Sequence, residues 1–497
     1  MKRYDVVIIG SGLGGLECAA ILSKEGMSVC VLEKNGIFGG CLQSFKRKEQ
    51  LLDTGMHYIG SMDKGKLLNQ YFKYFGVLDR VKFRRLNNNA YDVICYKDKE
   101  YNFAQGYENF TNTLSQYFPK ERDGIKCYAN KIEEICSLVG VENLRHGIIN
   151  RDGMEYFGIA ASKMIENTVS NKVLQNVLAG TGPLYSAERN YSPLYYHAMI
   201  NGSNIDGAYR IVDGSQTLAD AFVNVINKNG GIVLRNCEVT RIIIENGVAK
   251  GVEINDLDRI EADYFISNVH PVPTLNLIDK TPILKKAFIT RINSLRNSYG
   301  FFSVYLVMKK GTFPYLNSNY YIYKDNDVWD TSLNLRHTSI QFVLLSSQAN
   351  SADEEHANVI NILCPMFFSE VERWSNTLIE HRGDEYEAFK QNKAEQIIDF
   401  VNKYHPSLRA CIEQIYTATP LTYRDYTATV DGSAYGIMKN CNNSVGTLIS
   451  TRTKIDNLFL TGQNLNVHGA IGVTLTATLT CAELLGNEYL AKKIGEA

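Results

Sequence analysis

Tyr4-Asp-Val-Val-Ile-Ile-Gly10-Ser-Gly12-Leu13-Gly14-Gly15 opens a unit that closes with Val29-Cys-Val-Leu-Glu33, and the reading of this unit decides the fold. The β-branched run from Tyr4 to Ile9 suits a buried parallel strand. Gly10 permits a tight turn, Gly12 lets backbone approach a pyrophosphate, and Gly15 lets the next helix pack closely on the strand. That helix aims its unpaired N–H groups at phosphates. Glu33 ends the second strand about twenty residues further on, where a carboxylate accepts hydrogen bonds from an adenosine ribose and repels a 2′-phosphate. The register of strand, turn, helix, strand and acid predicts a dinucleotide-binding α/β domain.

The rest of the chain bounds the answer. At 497 residues it exceeds the usual size of one core, so two domains, intertwined or sequential, are expected. A net charge of −1 supplies no general field for nucleic acid, and the 45% hydrophobic and 21% charged fractions are those of an ordinary globular protein. No apolar stretch approaches the ~18 residues of a bilayer span, and the first strand begins too early for a signal peptide, which predicts a cytoplasmic protein. The 11 cysteines, odd in number and without a C-x-x-C pair, suit reduced thiols rather than a disulfide framework or a zinc site. No metal is expected.

Further α/β pieces follow at a distance. Val212-Asp-Gly214-Ser-Gln-Thr-Leu reads as a turn into a helix that Gly230-Gly231 stops. Ile232-Val-Leu, the run from Val239 and the run from Val248 read as strands, the last two joined by Glu245-Asn-Gly247, and Ala262 to Asn268 is another strand. Asn457-Leu-Phe-Leu-Thr-Gly462 is a strand with glycine at its tip, followed by Gly469-Ala-Ile471-Gly472-Val473 and a helix ending near Gly486. Gly39-Gly40 after Glu33 and Lys34, then Asp53-Thr-Gly55-Met56-His57-Tyr58-Ile-Gly60, bring a second loop toward the cofactor, and Thr461-Gly462 brings a third segment. An extended FAD needs such distant contacts.

At these residues the chain resembles the flavoprotein superfamily of amine oxidases, protoporphyrinogen oxidase and phytoene desaturases, and within it the phytoene desaturase, carotenoid isomerase and retinol saturase group. The Glu33…Gly39-Gly40 element and the Asp53–Gly60 segment carry the resemblance, with the Ala262–Asn268 strand, Thr419-Pro-Leu-Thr422, Tyr426-Thr427, Gly432-Ser-Ala-Tyr435-Gly436 and Thr461-Gly462-Gln463-Asn-Leu-Asn-Val-His468-Gly469. Two positions depart from the family: Cys41 stands where Arg commonly follows the glycine pair, and Gln463 where many relatives have Asp. The resemblance implies an FAD-binding Rossmann-like domain of glutathione-reductase type, from residues 1–80, 205–280 and 425–497, with an inserted mixed α+β substrate domain from 81–204 and 281–424.

The cofactor contacts expected are Gly10, Gly12, Leu13, Gly14, Gly15, Glu33, Lys34, Gly39, Gly40, Cys41, Gly55, Met56, His57, Val239, Gly462, Gln463, Gly469, Ile471, Gly472 and Val473. The helix that starts near Gly472 and Val473 would turn its dipole toward the flavin's N1–C2=O region. His57, Tyr58, Tyr435 and His468 are the candidate catalytic groups. Each histidine reads either as a proton carrier or as a hydrogen-bonded packing residue, and Tyr435 as a substrate contact or a domain contact. Cys41 has no second cysteine within reach for disulfide chemistry.

Tyr185, Tyr191, Tyr195, Tyr196 and Tyr209 read either as the wall of an apolar tunnel or as core aromatics. Leu284, Phe288, Ile292 and Leu295, with Lys285, Lys286, Arg291 and Arg296 between them, form a basic amphipathic pattern after Pro282, read as peripheral contact with anionic lipid or as a half-buried helix. The expected activity is desaturation or saturation of carbon–carbon bonds in an elongated, hydrophobic, carotenoid-, retinoid- or lipid-like small molecule. A redox-neutral cis–trans isomerase, an amine oxidase and a non-catalytic FAD and lipid binder are the alternatives.

Overall fold

The computed structural model describes residues 3–139, 151–324, 327–330 and 339–497. In chain order its strands are β1 Arg3–Ile9, β2 Val29–Leu32, β3 Ser44–Arg47, β4 Gln50–Asp53, β5 Phe83–Arg85, β6 Asp92–Tyr96, β7 Lys99–Phe103, β8 Tyr209–Ile211 and β9 Ile232–Leu234. They continue as β10 Val239–Glu245, β11 Val248–Ile254, β12 Asp258–Ser267, β13 Gly300–Met308, β14 Asn319–Tyr323, β15 Phe342–Ser347, β16 Val359–Met366, β17 Ile412–Ala418 and β18 Leu458–Leu460.

The opening unit folds as its pattern dictates. Val6 to Ile9 and all of β2 are buried, as a parallel strand covered on both faces requires. Strands from all over the chain join them in the order β10-β11-β12-β1-β2-β9, with β18 also on β12. The long β12 makes this possible. Its first half pairs antiparallel with β11, and its last residues, Phe265 to Ser267, pair parallel with β18 on the same edge. The β10–β11 hairpin turns at Asn246 and Gly247, both at positive φ (51° and 80°), the requirement of a type I′ turn. The helices Leu13–Lys24 and Gly469–Leu485 pack on each other beside this sheet.

The second sheet has the order β17-β13-β16-β15-β14-β6-β7, antiparallel except for β14 beside β6. Its strands alternate between two buried faces. Phe302, Val304, Val343, Leu345, Ile362 and Cys364 share a core with Ile397, Ile398 and Val401 of the helix Asp384–Asn402. The alternate residues Tyr321, Leu344 and Leu363 belong to the main core that also contains the glycine-rich loop's helix. Register aligns these three side by side, Tyr321 opposite Leu344 and Leu344 opposite Leu363. This inner face forms the floor of the site. β8 pairs with β5 in a separate two-stranded sheet, and Ile59 bridges to Tyr209 on β8.

Two sequence expectations shift. The helix expected after Pro282 spans Lys286–Asn293; Ile292 is buried against Ile437 and Leu465, and Phe288 and Leu295 pack on the same cluster. Arg291 donates to the Gly446 carbonyl and Arg296 pairs with Glu188, so the apolar stripe and two of the four cations are engaged within the protein. A further helix, Asn487–Gly495, follows Gly486. Among the described residues no helix is long and apolar enough to cross a membrane.

Candidate active site

A cavity of about 440 Å³ runs from the glycine-rich loop to the inner face of the second sheet. At one end Gly10 turns at φ 91°, and a Cβ on Gly15 would overlap the Gly10 carbonyl oxygen, which fixes how closely strand and helix approach. No side chain caps the helix Leu13–Lys24, and its first residues are buried. Buried helix N–H groups without a cap need a partner, and a pyrophosphate at this place supplies it. The helix Gly469–Leu485 likewise starts without a side-chain cap, after Gly469 at φ 75°, and its first three residues line the other end.

Glu33 sits at the tip of β2, 5% exposed. Its Oε2 accepts from the Ser11 backbone N–H (3.0 Å) and hydroxyl (2.6 Å), and its Oε1 from Asn35 N–H (2.8 Å). A carboxylate has about four acceptor positions, so one remains on Oε1 for a ribose hydroxyl. The Ser11 hydroxyl also accepts from Gly39 N–H (3.1 Å), which fastens the glycine pair to the first loop. Lys34 and Asn35 donate to the carbonyls of Asp425 and Tyr426, holding the segment Tyr426–Thr429 against the same cavity. Uncapped helix ends, bare glycine backbone and a free carboxylate lone pair fit an extended dinucleotide.

At the other end, His57 Nδ1 faces Asn361 Nδ2 at 3.3 Å, while His57 Nε2 and Asn361 Oδ1 are buried with no protein partner. Burial, and then the charge of Arg210, lower the His57 imidazole to about 4, so it is neutral near pH 7. His468 is also lowered to about 4, first by burial. Its Nε2–H donates to the Leu184 carbonyl (2.8 Å), and its ring lies 4.5 Å from that of Tyr435. The Tyr58 hydroxyl contacts Tyr321 (2.6 Å), Asp92 (3.1 Å) and Asn204 (3.4 Å). Burial raises the Cys41 thiol, so it stays protonated.

The cavity brings together all four candidate catalytic residues and every expected cofactor contact except Gly15 and Gly472. Those two glycines lie outside the cavity lining and make close packing contacts. Gly15 meets Gly10, and a Cβ on Gly472 would overlap the Val467 carbonyl within its own loop. Of the two readings of the tyrosine cluster, the structure fits the core aromatics: none of its five members lines this cavity. Tyr185 bonds His197 (2.7 Å), Tyr195 stacks on Phe157 at 4.2 Å, Tyr209 bonds Asp63 (2.9 Å), Tyr196 bonds the Asn466 carbonyl and Tyr191 sits under Arg296. The apolar wall is Leu184, Ile200, Phe301, Leu344 and Leu363 instead.

Sequence reasoning missed Asn268 as a site residue. Its amide lies where a Cβ on Gly12, Gly14 or Gly462 would come within 2.7, 2.9 and 2.5 Å, so it meets the glycine-rich loop and the Gly462 segment at one point. Its place at the end of a strand that pairs with β1 was the available signal.

Residues 8–75 match the family model described as an NAD(P)-binding Rossmann-like domain. The human all-trans-retinol 13,14-reductase is 26% identical over 530 residues, covering 97% of this chain and 86% of that protein. The chloroplastic prolycopene isomerase 1 of an Oncidium hybrid cultivar is 25% identical over 518 residues, covering 99% and 85%. The crystal structure of an oxidoreductase from Methanosarcina mazei superposes with a TM-score of 0.63 at 18% identity, over 96% of this chain and 99% of that one.

Proposed function

From the premise that this chain belongs to the retinol saturase and carotenoid isomerase group of FAD-dependent oxidoreductases, we propose that it adds or removes hydrogen across carbon–carbon bonds of an elongated apolar, retinoid- or carotenoid-like molecule. The observation that carries this reading is a single cavity with a dinucleotide cradle at one end and the row Tyr321, Leu344, Leu363 beneath the other. FAD, when bound, supplies hydride chemistry at its N5. Glu33, the glycine loops and the uncapped helix ends hold it. His57, Tyr58, Tyr435 and His468 surround the reacting carbons, and the apolar wall excludes water.

The substrate's affinity comes from burial, at roughly 0.8 kcal/mol per methylene. The division into an FAD domain (1–80, 205–280, 425–497) and a substrate domain (81–204, 281–424) is part of this proposal. So is peripheral membrane contact near the cavity mouth. Tyr426, which lines the cavity, and Ile37 are both 42% exposed. Leu378 (74% exposed) and Ile379 (43%) lie in a loop tied to Asp425 by Arg382 and to Arg424 by the Ser375 carbonyl. Leu378→Ser with Ile379→Ser is expected to lower liposome association while leaving FAD content unchanged.

A redox-neutral polyene isomerase is the second reading, favoured by the prolycopene isomerase relative. The test is anaerobic mixing of flavin-loaded protein with retinol or a carotenoid, reading flavin absorbance and product mass together. A two-hydrogen mass change with flavin bleaching or reoxidation supports the first reading. A change of geometry at constant mass supports the second, and neither change overturns both.

A further inference from the structure

The inner face of the second sheet carries a polar row beside the apolar one. Asp92 on β6 stands opposite Asn319 on β14, and Ser346 on β15 is opposite Asn361 on β16, which faces Tyr305 on β13. Asp92 and Asn319 are fully buried, a costly position for a carboxyl that forms no ion pair among the described residues. Its two oxygens are taken separately. Asn319 Nδ2 donates to Oδ1 (2.9 Å) and the Tyr58 hydroxyl donates to Oδ2 (3.1 Å). Tyr58 is the one partner of Asp92 that lines the cavity.

The hydrogens can be assigned by counting. The Tyr58 oxygen accepts from Asn204 Nδ2 (3.4 Å) and from Tyr321, whose hydroxyl meets no other acceptor among the described residues (2.6 Å). With Asp92 ionised, the one Tyr58 hydrogen points at Oδ2, away from the cavity. With Asp92 protonated, its O–H takes one of the two acceptor positions of the Tyr58 oxygen in place of the long Asn204 contact, and releases the Tyr58 hydrogen to turn toward the cavity.

We propose that Asp92 is a positioning residue whose protonation sets the direction of the Tyr58 hydrogen, so that Tyr58 presents a proton to an apolar substrate only when Asp92 carries one. This rests on the reading of the chain as a flavin-dependent saturase or desaturase. In saturation, one alkene carbon receives the hydride from reduced FAD and the other receives the Tyr58 proton; Tyr58 regains a proton from Asp92, and Asp92 from solvent. Carbon is reduced and the flavin oxidised by two electrons.

The surroundings set the midpoint. Burial raises the Asp92 carboxyl to about 7, against the hydrogen bonds from Asn319 and Tyr58 and the nearby charge of Arg210. The other titratable groups facing it are phenols, Tyr58, Tyr321 and Tyr91, all pushed well above their ordinary range mainly by burial and so neutral here. Arg210, 1% exposed on β8, directs its Nη donors to the carbonyls of Leu316 and Ser318, to Tyr315 and to Asn319, so its charge lies one residue away from Asp92, beyond Asn319.

Two variants and two readouts test this. In Asp92→Asn the new amide keeps its oxygen toward Asn319 and donates N–H to Tyr58, locking the cavity-facing state without a titrating group. The wild-type single-turnover rate with retinol is expected to fall about tenfold per pH unit above about 7. In Asp92→Asn that fall disappears, and in Tyr58→Phe the rate is low and flat. Infrared difference spectra across the same range, on protein without substrate, are expected to show the C=O band of a buried protonated carboxyl in wild type and Tyr58→Phe but not in Asp92→Asn. If the band titrates as expected but no substrate turns over, the assignment of Asp92 stands and the functional reading fails. A missing band, or an unchanged pH profile in Asp92→Asn, overturns the proposal.

Discussion

Replacing Glu33 by Gln tests the cofactor cradle at its most occupied residue. The carboxylate satisfies three donors, the Ser11 N–H and hydroxyl and the Asn35 N–H, and keeps one acceptor position for the ribose. An amide oxygen can serve either the Ser11 side or the Asn35 side, and the NH₂ then faces a donor on the other. The unmatched donor costs about 1–3 kcal/mol, and loss of a charged ribose bond about 1.5–3 kcal/mol. The first term appears in the stability of the apoprotein. The second appears in FAD affinity, a rise in Kd of roughly 10- to 150-fold at about 1.4 kcal/mol per decade. Because Ser11 also anchors Gly39, loosening the loop adds to the affinity loss. Flavin fluorescence titration and urea unfolding of the apoprotein separate the two. A Kd within about twofold of wild type, with unchanged unfolding, would refute this account of Glu33.

Gly472→Val is expected to lower thermal stability by forcing a side chain onto the Val467 carbonyl, while the folded fraction keeps its flavin reduction rate; normal stability with altered reduction would return Gly472 to the cofactor site. Leu363→Gln places an amide in the apolar row at about 1–3 kcal/mol, so retinol binding should weaken on the order of tenfold with FAD content intact, as checked by fluorescence quenching. On acidification from about 6.5 to about 4, His57, His270 and His468 (each held to about 4) and His197 (to about 3) stay neutral in the folded chain but protonate when unfolded. Each removes up to ~1.4 kcal/mol per pH unit, with His405, also lowered by burial, acting in the same sense, while Asp92, Glu17, Asp53 and Asp206, whose carboxyls burial raises, bind protons in the folded state and offset part of this. Urea unfolding at a series of pH values should therefore show stability falling through this window, and a flat or rising profile contradicts the burial of these imidazoles.

The dinucleotide half was legible because its signals are local. Gly10, Gly15 and Glu33 lie within one strand–helix–strand unit, and the Asn246-Gly247 turn announces its hairpin by residue type alone. Even the distant Gly462 and Gly469 segments declared themselves as glycines after a short strand. The substrate half was not, because its site is made by register across strands far apart in sequence. Leu344 and Leu363 look like any buried strand residues until pairing sets them beside Tyr321. Asp92 begins a short strand with no motif around it, and its partners Tyr58 and Asn319 come from separate segments. The tyrosine cluster stayed open between two readings for the converse reason: dense in sequence, its members point into separate packing contacts. Gly472 is ambiguous in the same way, since a glycine at a helix start serves loop packing and cofactor approach alike.

The central claim is that one cavity joins an FAD cradle to an apolar row where carbon–carbon bonds gain or lose hydrogen. The most direct measurement is a single anaerobic turnover in which the flavin-loaded protein, oxidised or dithionite-reduced, is mixed with retinol or a carotenoid and followed by flavin absorbance and product mass. The account predicts that flavin oxidation state and product mass change together, one flavin per two hydrogens, in one of the two starting states. Flavin that stays unchanged in both states, beside a polar amine that does reduce it, would contradict the account.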